Sequence, residues 1–498
     1  MTQNNKVDSG RALQGKLGAG SLMMLIIAAS APLTAVAGGA PTSYAVTGMI
    51  EVPMGYLVLG IVLLIFAVGY AAMSTKITNA GALYAYTATG LGKRQGLAAA
   101  WLALVSYNAM QIGLYGIVGA TIAGTLSALA GITIEWWVAA LFCWFLTGLL
   151  GAMNIDASAK VIGVLVILEF LVVVLVDFIG LSSPAEPISV AAFDPTGFVG
   201  PGIGAALAFG MAAFMGFESA TIYAEEAENP QKSVPRATYG ALGLIAGFYA
   251  FSAWAIAQGV GESQIVEKAR ESGPELLFVF LEESGHHGLA TFGRIVFITS
   301  LLAALFAFHN AVARYALVLG REGVLPERLG RTHPKTHAPI YSSLAQSVLA
   351  LLFIGGFAIY GSVTNAGPEF PVLTMFSWLT NAGAFGIVFL LFITSVSVVR
   401  FFWGTNEHNL FVRVIAPVAA MVGLAVIFIE ILIHFDVMVG QEGFHPLVVG
   451  MPSVILLTGV AGYLRAEWLR RTNPTRYSCI GTGRGSAELA RNGHNIDT

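Results

Sequence analysis

Long apolar stretches alternate with short polar segments along almost the whole chain. A helix needs roughly 20 mostly apolar residues to cross a hydrocarbon core of about 30 Å. Twelve stretches of about this length occur, at residues 20–40, 53–74, 97–127, 136–153, 159–180, 201–224, 237–259, 290–319, 340–362, 371–398, 411–435 and 446–465. The pattern predicts twelve transmembrane helices, with short loops and no soluble domain.

The composition supports an all-α integral membrane protein. Of the 498 residues, 56% are hydrophobic and only 11% are charged, whereas a soluble domain carries about 25% charged residues because its surface faces water. The membrane lipid is therefore an expected partner over most of the surface. The net charge of −3 gives no indication of a nucleic-acid partner.

The basic residues predict the orientation of the helices. If both termini are cytoplasmic, all but three of the 25 Lys and Arg fall in cytoplasmic segments, and the three exceptions are Lys268, Arg270 and Arg294. An excess of Lys and Arg on the cytoplasmic side is the usual pattern of membrane proteins. We therefore expect a multi-pass protein of the plasma membrane. The sixteen polar residues at the start, followed by a long apolar stretch, do not fit a cleavable signal peptide.

The predicted organisation has four parts. These are a cytoplasmic arm at 1–18, a ten-helix core at 19–400 with two repeats near 19–181 and 199–400, two further helices at 401–466, and a disordered cytoplasmic tail at 467–498.

Two of the predicted helices contain residues that interrupt a helix at mid-membrane depth. The first contains Pro32, which removes a backbone hydrogen bond and clashes with the preceding turn. The sixth contains Gly210 and Gly216 beside Glu218. Proline and small residues also occur in membrane helices simply as packing residues. Interruptions at the first and sixth positions, which begin the two halves, instead favour a transporter with its site at the breaks.

Four segments resemble the amino acid–polyamine–organocation family of permeases. They are GFES at 216–219, EEAENPQKSVPRA at 225–237, AGALYAY at 80–86 and RYALVLGREGVLP at 314–326. The resemblance implies a leucine-transporter-like fold with two inverted five-helix repeats, discontinuous helices 1 and 6, and two peripheral helices. It also implies transport of amino acids or amines, coupled to protons or run as exchange. Two departures stand out: Ser30-Ala31-Pro32 replaces a glycine-rich run, and Glu169 stands where several relatives have lysine.

The expected substrate site combines backbone groups at the breaks with polar side chains on helices 3 and 10. A broken helix exposes unpaired N–H and C=O groups, and its dipole places about half a unit charge at each end. We expect N–H groups after Pro32 to bind a carboxylate, and carbonyl groups at the breaks to bind an ammonium group. The candidate substrate-binding residues are Ala28, Ala29, Ser30, Ala31, Pro32, Leu33, Thr34, Tyr107, Asn108, Gln111, Phe214, Gly216, Phe217, Ser377 and Asn381.

Two carboxylates and a set of cytoplasmic charges are the remaining candidates. A carboxylate inside the membrane is costly and usually functional, so Glu218 and Glu169 are candidates for carrying a coupling proton. A bond between neighbouring helices is the alternative role of Glu169. By the resemblance, the inner gate would be formed by Glu225, Glu226, Arg236 and Arg314.

The sequence thus predicts a proton-coupled secondary transporter of amino acids or related amines. An exchanger or a sodium-coupled carrier of the same fold remains an alternative, with Thr299 and Ser300 available to sodium. A non-transporting sensor is less consistent with the short tail. Enzyme motifs such as HExxH and GxSxG are absent from the sequence, so we expect no catalytic residue, no metal centre and no cofactor.

Overall fold

The structure is a computed structural model, and it describes residues 18–77, 81–153, 159–218, 221, 227–333, 338–405, 407–441 and 445–483. In this part of the chain the regular elements are helical. The α-helices are α1 (Ala19–Ser30), α2 (Ala40–Thr47), α3 (Val52–Ser74), α4 (Ala82–Leu91), α5 (Lys93–Ala130), α6 (Trp136–Met153), α7 (Ala159–Ser182), α8 (Gly202–Phe214), α9 (Pro230–Val260), α10 (Ile265–Ser272), α11 (Leu276–Glu283), α12 (His287–Arg321), α13 (Ile340–Val363), α14 (Ser377–Phe402), α15 (Ala416–Ile433), α16 (Phe435–Val439), α17 (Pro446–Thr472) and α18 (Pro474–Cys479).

Ten helical segments of the described chain are long and apolar enough to cross a membrane. Two shorter apolar helices, Trp136–Ala152 and Gly202–Phe214, occupy the positions of the fourth and sixth predicted crossings. The prediction of an all-helical protein with many membrane helices is therefore confirmed. The count of twelve crossings and the inverted repeat stay predictions.

The long helix α5 holds the centre of the fold together. It packs against α4, α6, α12, α14 and α17. At Gly116 of α5 the segment Pro371–Phe376 comes so close that a Cβ atom would lie 2.3 Å from the carbonyl oxygen of Pro371. Only glycine allows this close approach. The approach brings the start of α14 to the middle of the protein.

The helical part of the chain extends beyond the end predicted at residue 466. Helix α17 continues to Thr472, where Glu467 pairs with Arg470 and Arg471 one turn further on. Such pairs support a helix in water. Helix α18 follows, so the described part of the predicted tail, up to residue 483, is ordered against the core.

Candidate functional site

Helix α1 ends in the middle of the protein, close to the proline that predicts a break. Ala31 has a φ of 45°, in the left-handed region that a residue with a side chain rarely adopts. The chain then resumes through Pro32 and a segment with π-helical hydrogen bonding, Thr34–Gly39, before α2 begins. Such π-helical turns are frequent at functional sites. The first helix is therefore discontinuous between Ser30 and Pro32.

Glu169 of α7 bonds to the backbone group that this break frees. In a continuous helix the N–H of Leu33 would donate to Ala29, but here it donates to Oε2 of Glu169 at 3.1 Å. Ser300 of α12 donates to the same oxygen at 2.9 Å. The hydroxyls of Thr34 and Ser300 share a further hydrogen bond of 2.9 Å. A buried polar cluster thus joins α1, α7 and α12 at the break.

Helix α8 is interrupted where it meets this first break. It ends at Phe214, and residues 215–218 form a turn. Gly216 has a φ of 106°, and a Cβ atom there would lie 2.9 Å from the Cβ of Ala29. Gly210 lies inside α8, so the interruption is later in the chain than the glycine pair indicates. The two broken helices touch at Ala29 and Gly216.

Glu218 folds back over the end of α8. It is 2% exposed, and its Oε2 accepts a hydrogen bond from the backbone N–H of Gly216 at 3.1 Å. Its Oε1 accepts a short hydrogen bond from the phenol of Tyr107 on α5. Its own carbonyl oxygen accepts from Tyr70 at 3.0 Å. The carboxylate of Glu218 thus connects the break in α8 to α5, and its backbone carbonyl connects it to α3.

A small cavity of about 40 Å³ lies between the two breaks. One water molecule needs roughly 10–15 Å³ of such volume, so only a few waters fit and the site is nearly closed. Its wall contains Ala29, Ser30, Ala31, Thr34, Ala35, Gly39, Met110, Leu114, Phe209, Ala212, Ala213, Met215, Ala304, Phe308, Phe376 and Thr380. We call this space the central cavity.

Four of the predicted substrate-binding residues line the central cavity: Ala29, Ser30, Ala31 and Thr34. Tyr107 lies next to the central cavity, and its hydroxyl already donates a hydrogen bond to Glu218. Ala28, Pro32, Leu33, Phe214, Gly216 and Phe217 belong to the broken segments without lining the cavity. The rings of Phe214 and Phe217 are buried among other aromatic rings, at 6.1 Å from Tyr249 and 6.0 Å from Phe66 respectively.

The other polar candidates bond elsewhere. Asn108 donates to the carbonyl oxygen of Leu104, and Gln111 accepts from Gln346 of α13 at 2.6 Å. Ser377 donates to the carbonyl oxygen of Met438 on α16, and Asn381 donates to Ser377. The structure does not bring these four side chains to the central cavity. On the tenth predicted helix, Phe376 and Thr380 line it instead.

The predicted gate residues are described only in part. Glu225 and Glu226 lie outside the described residues. Arg236 is exposed near the start of α9, and Arg314 is half-buried on α12.

Sequence reasoning missed several residues of the site region. Phe209, Ala212 and Ala213 line the cavity one turn before the break in α8, and their helical spacing gives a signal that small and aromatic residues share a face. Away from the cavity lining, Asp177 of α7 is also buried and accepts a hydrogen bond from Ser252 of α9 at 2.7 Å. The sequence could have indicated Asp177 as a candidate, because it is a carboxylate within an apolar stretch.

Comparisons with known proteins agree on one family. The sequence profile of the amino acid permease family matches residues 17–460. The methylthioribose transporter of Bacillus subtilis (strain 168) is 22% identical over 330 residues, which cover 63% of this chain and 68% of the relative. The branched-chain amino acid permease BcaP of the same organism is 26% identical, with 59% and 65% covered. The low-affinity putrescine importer PlaP of Escherichia coli (strain K12) is 25% identical, with 72% and 75% covered.

A solved structure shares the fold. A mutant of the Eremococcus coleocola manganese transporter superposes with a TM-score of 0.52 at 12% identity, over 96% of this chain and 99% of that one. At this identity the likeness concerns the fold alone.

Proposed function

The chain belongs to the amino acid permease family, and we propose that it is a secondary transporter that moves amino acids or related amines across the plasma membrane by alternating access. The names of its relatives, which include an amino acid permease and a putrescine importer, support this class of substrate.

The observation that carries the proposal is the meeting of two interrupted helices around one cavity. Backbone at this depth can depart from a helix only where it faces protein or a wet cavity. The break at Ala31 and the turn at 215–218 both border the central cavity. Backbone groups that the breaks release from helical hydrogen bonding would replace the water lost by the carboxylate and ammonium groups of a substrate. Opening of this nearly closed space to either side would then constitute transport.

The proposed architecture has twelve crossings, an inverted repeat of five plus five helices, and both termini in the cytoplasm. The two shorter apolar helices would supply the crossings beyond the ten long ones. Labelling of Ser486→Cys by a reagent added outside intact cells would contradict the proposed orientation.

Proton coupling is the mode we favour, with Glu218 and Glu169 as carriers. Each carboxylate is buried and binds a backbone N–H at one of the two breaks. Protonation would weaken the bond from Gly216 or Leu33, since an N–H binds a carboxylate more strongly than a neutral acid. Proton uptake would then loosen a broken segment, which links the proton to a change in shape.

Arg236 and Arg314 are proposed to act with Glu225 and Glu226 at an inner gate.

Sodium coupling is the second candidate, and one observation favours it. Thr34, Ser300 and Glu169 bring three oxygen atoms together beside the break in α1. Hard cations bind oxygen ligands. In that case Glu169 would supply charge to the ion and would not carry a proton.

Uptake by the purified protein in proteoliposomes tests the proposal. Radiolabelled amino acids and polyamines are offered while a pH gradient and a sodium gradient are imposed separately. Accumulation with the pH gradient alone supports proton coupling, and accumulation with the sodium gradient alone supports the second candidate. Absence of uptake and exchange for the whole panel would overturn the transporter proposal.

A further inference from the structure

A second cavity of about 210 Å³ lies at the far end of the fold from α18. Helix α12 begins beside this cavity, near α10 and α11, and ends at Arg321 beside α18. The cavity is bordered by α2, α5, the α10–α11 segment and the residues before α14. We call it the outer cavity. With one water needing roughly 10–15 Å³, it has room for a small organic molecule.

Two separate segments of the chain contact both cavities. On each segment, the residues that line the outer cavity are about one helical turn from those that line the central cavity. Gly39 borders the central cavity and Thr42 borders the outer one. Likewise, Phe376 lines the central cavity and Leu373 lines the outer one. One turn of α-helix is about 5.4 Å. Both connecting segments, Thr34–Gly39 and Pro371–Phe376, have π-helical hydrogen bonding, which is frequent at functional sites.

Negative charge dominates the lining of the outer cavity. Glu271, Glu275 and Glu369 line it, against the single guanidinium group of Arg270. Arg270 is itself tied to the carbonyl oxygen of Ala45 at 3.1 Å and lies 3.8 Å from Glu267. A cleft lined by one sign of charge concentrates counter-ions. The outer cavity therefore attracts cations.

The base of the cavity, at Glu275, also has more negative than positive charge beside it. Arg294 is 3% exposed and is shared by two carboxylates, at 2.7 Å from Glu275 and 2.5 Å from Glu282. One guanidinium group cannot neutralise both. Burial raises the pKa of the Glu275 carboxyl, and the hydrogen bond and charge of Arg294 act against this rise.

Two buried oxygen atoms at this base have no hydrogen-bond partner among the described residues. One is Oε1 of Glu275, and the other is Oγ1 of Thr121, whose side chain is 2% exposed and lines the cavity. Glu275 approaches the same helix as Thr121, because its Oε1 lies 4.0 Å from where a Cβ atom of Gly124 would stand, one turn beyond Thr121 on α5. Buried polar atoms normally have partners, so these two oxygens are available to accept hydrogen bonds from a bound molecule.

We propose that the outer cavity is a second binding site, which takes the primary ammonium group of an amine or amino acid. An ammonium group brings positive charge and three donors without any acceptor. It matches the oxygens of Thr121 and Glu275, with Glu271 and Glu369 at the rim. The proposal rests on the proposed transport function in one respect: the bound molecule is a substrate waiting outside the central cavity.

Cysteine modification in the full-length protein tests the site without requiring transport. Thr121→Cys is introduced in a Cys143→Ser, Cys479→Ser background. Its modification rates by a trimethylammonium methanethiosulfonate and by a sulfonate methanethiosulfonate are compared, each normalised to a free thiol. We expect the cationic reagent to react about tenfold faster. Glu271→Gln with Glu369→Gln should remove most of this preference. Ser272→Cys, also on the lining, is a second reporter if Thr121→Cys does not fold.

Protection by a ligand completes the test. 1,4-Diaminobutane should slow modification of the reporter cysteine severalfold, whereas 1,4-butanediol and sodium chloride of equal ionic strength should not. Thr364→Cys, on the same side but outside the cavity, should be unaffected by all three. No charge preference, equal protection by the diol, or equal protection by sodium would overturn the proposal. Uptake without protection refutes only the outer site, and protection without uptake refutes only the transport function.

Discussion

The phenol of Tyr107 on α5 donates a short hydrogen bond to the carboxylate of Glu218, beyond the end of α8. Both side chains are buried, and the ring of Tyr107 lies 5.6 Å from that of Tyr315 and 6.3 Å from that of Phe308. Phe308 lines the central cavity. The contact therefore joins the proposed proton carrier, through Tyr107, to the wall of the proposed substrate site.

Tyr107→Phe removes this donor and keeps the ring. A buried acceptor that loses its partner costs about 1–3 kcal/mol, so we expect roughly a tenfold lower rate of uptake in proteoliposomes. The midpoint of thermal unfolding of the detergent-purified protein should fall modestly for the same reason, because the hydrogen bond is lost while the ring contacts persist. Tyr341→Phe is a matched control at an exposed tyrosine. Equal uptake rates for Tyr107→Phe and the control would contradict a role for the Tyr107–Glu218 bond.

Glu169→Ala should destabilise the break in α1. It leaves the N–H of Leu33 and the hydroxyl of Ser300 without their common acceptor, which costs about 1–3 kcal/mol for a buried group. We expect a lower midpoint of thermal unfolding in detergent. Glu169→Gln retains a carbonyl acceptor and should recover most of the stability while still losing a titrating group. If Glu169→Ala and the wild type unfold at the same temperature, the carboxylate does not hold the segment.

Gly216→Ala should prevent the two broken helices from meeting. The added Cβ atom would lie 2.9 Å from the Cβ of Ala29, and a φ of 106° costs a residue with a side chain about 1–2 kcal/mol. We expect loss of uptake together with lower thermal stability. Gly247→Ala, within α9 and with open space around its Cβ position, should be tolerated. Full uptake by Gly216→Ala would show that the close contact of the breaks is dispensable.

Glu322, just after α12, ties the C-terminal segment to the fold and should make this contact depend on pH. Its carboxyl is buried, and it accepts hydrogen bonds from Tyr84 at 2.8 Å and from the N–H of Gly483 at 2.9 Å. Burial raises its pKa from 4.5 to about 7, with the hydrogen bonds opposing the rise. Lys93 and Cys479 are the other titratable groups that act on it electrostatically.

The sign follows from proton binding. Between about pH 4.5 and pH 7 the docked carboxyl holds more protons than a solvated one, so docking weakens as the pH rises through this window and levels off above it. We expect the rate at which maleimide modifies the buried thiol of Cys479 in the wild type, divided by the rate in Glu322→Gln, to increase as the pH rises from 5 to 7. Both proteins carry Cys143→Ser, and their ratio removes the pH dependence of the thiol that they have in common. Besides burial, the charge of Glu322 raises the pKa of the Cys479 thiol and so acts against the expected rise of this ratio. A ratio that is constant with pH would refute the role of Glu322.

Much of the fold was predictable from the sequence because hydrophobicity alone reports on burial in lipid. Apolar length predicted the long helices, and Pro32 predicted the first break to within two residues. The second break was placed less well. Gly210 remains in α8, since a helix in the membrane tolerates glycine when neighbouring helices pack closely.

The lining of the site was less predictable, because one sequence does not say which face of a helix turns inward. Asn381 and Thr380 are adjacent, yet only Thr380 lines the central cavity. Asn108 and Gln111 find partners on their own helix or on neighbouring helices. Polar side chains in membrane bundles often bond between helices, and polarity alone does not separate this use from substrate binding.

Glu218→Gln tests the central claim most directly. Glutamine keeps the shape but cannot titrate. Its amide oxygen can accept from the N–H of Gly216 while its NH2 group donates to the phenol oxygen of Tyr107, so the protein should still insert and fold. In proteoliposomes it should still exchange radiolabelled substrate across the membrane while losing accumulation driven by an imposed pH gradient. The proposal predicts this separation of exchange from accumulation. Full accumulation by Glu218→Gln under the same pH gradient would contradict it and would leave Glu169, or a driving force other than protons, to account for transport.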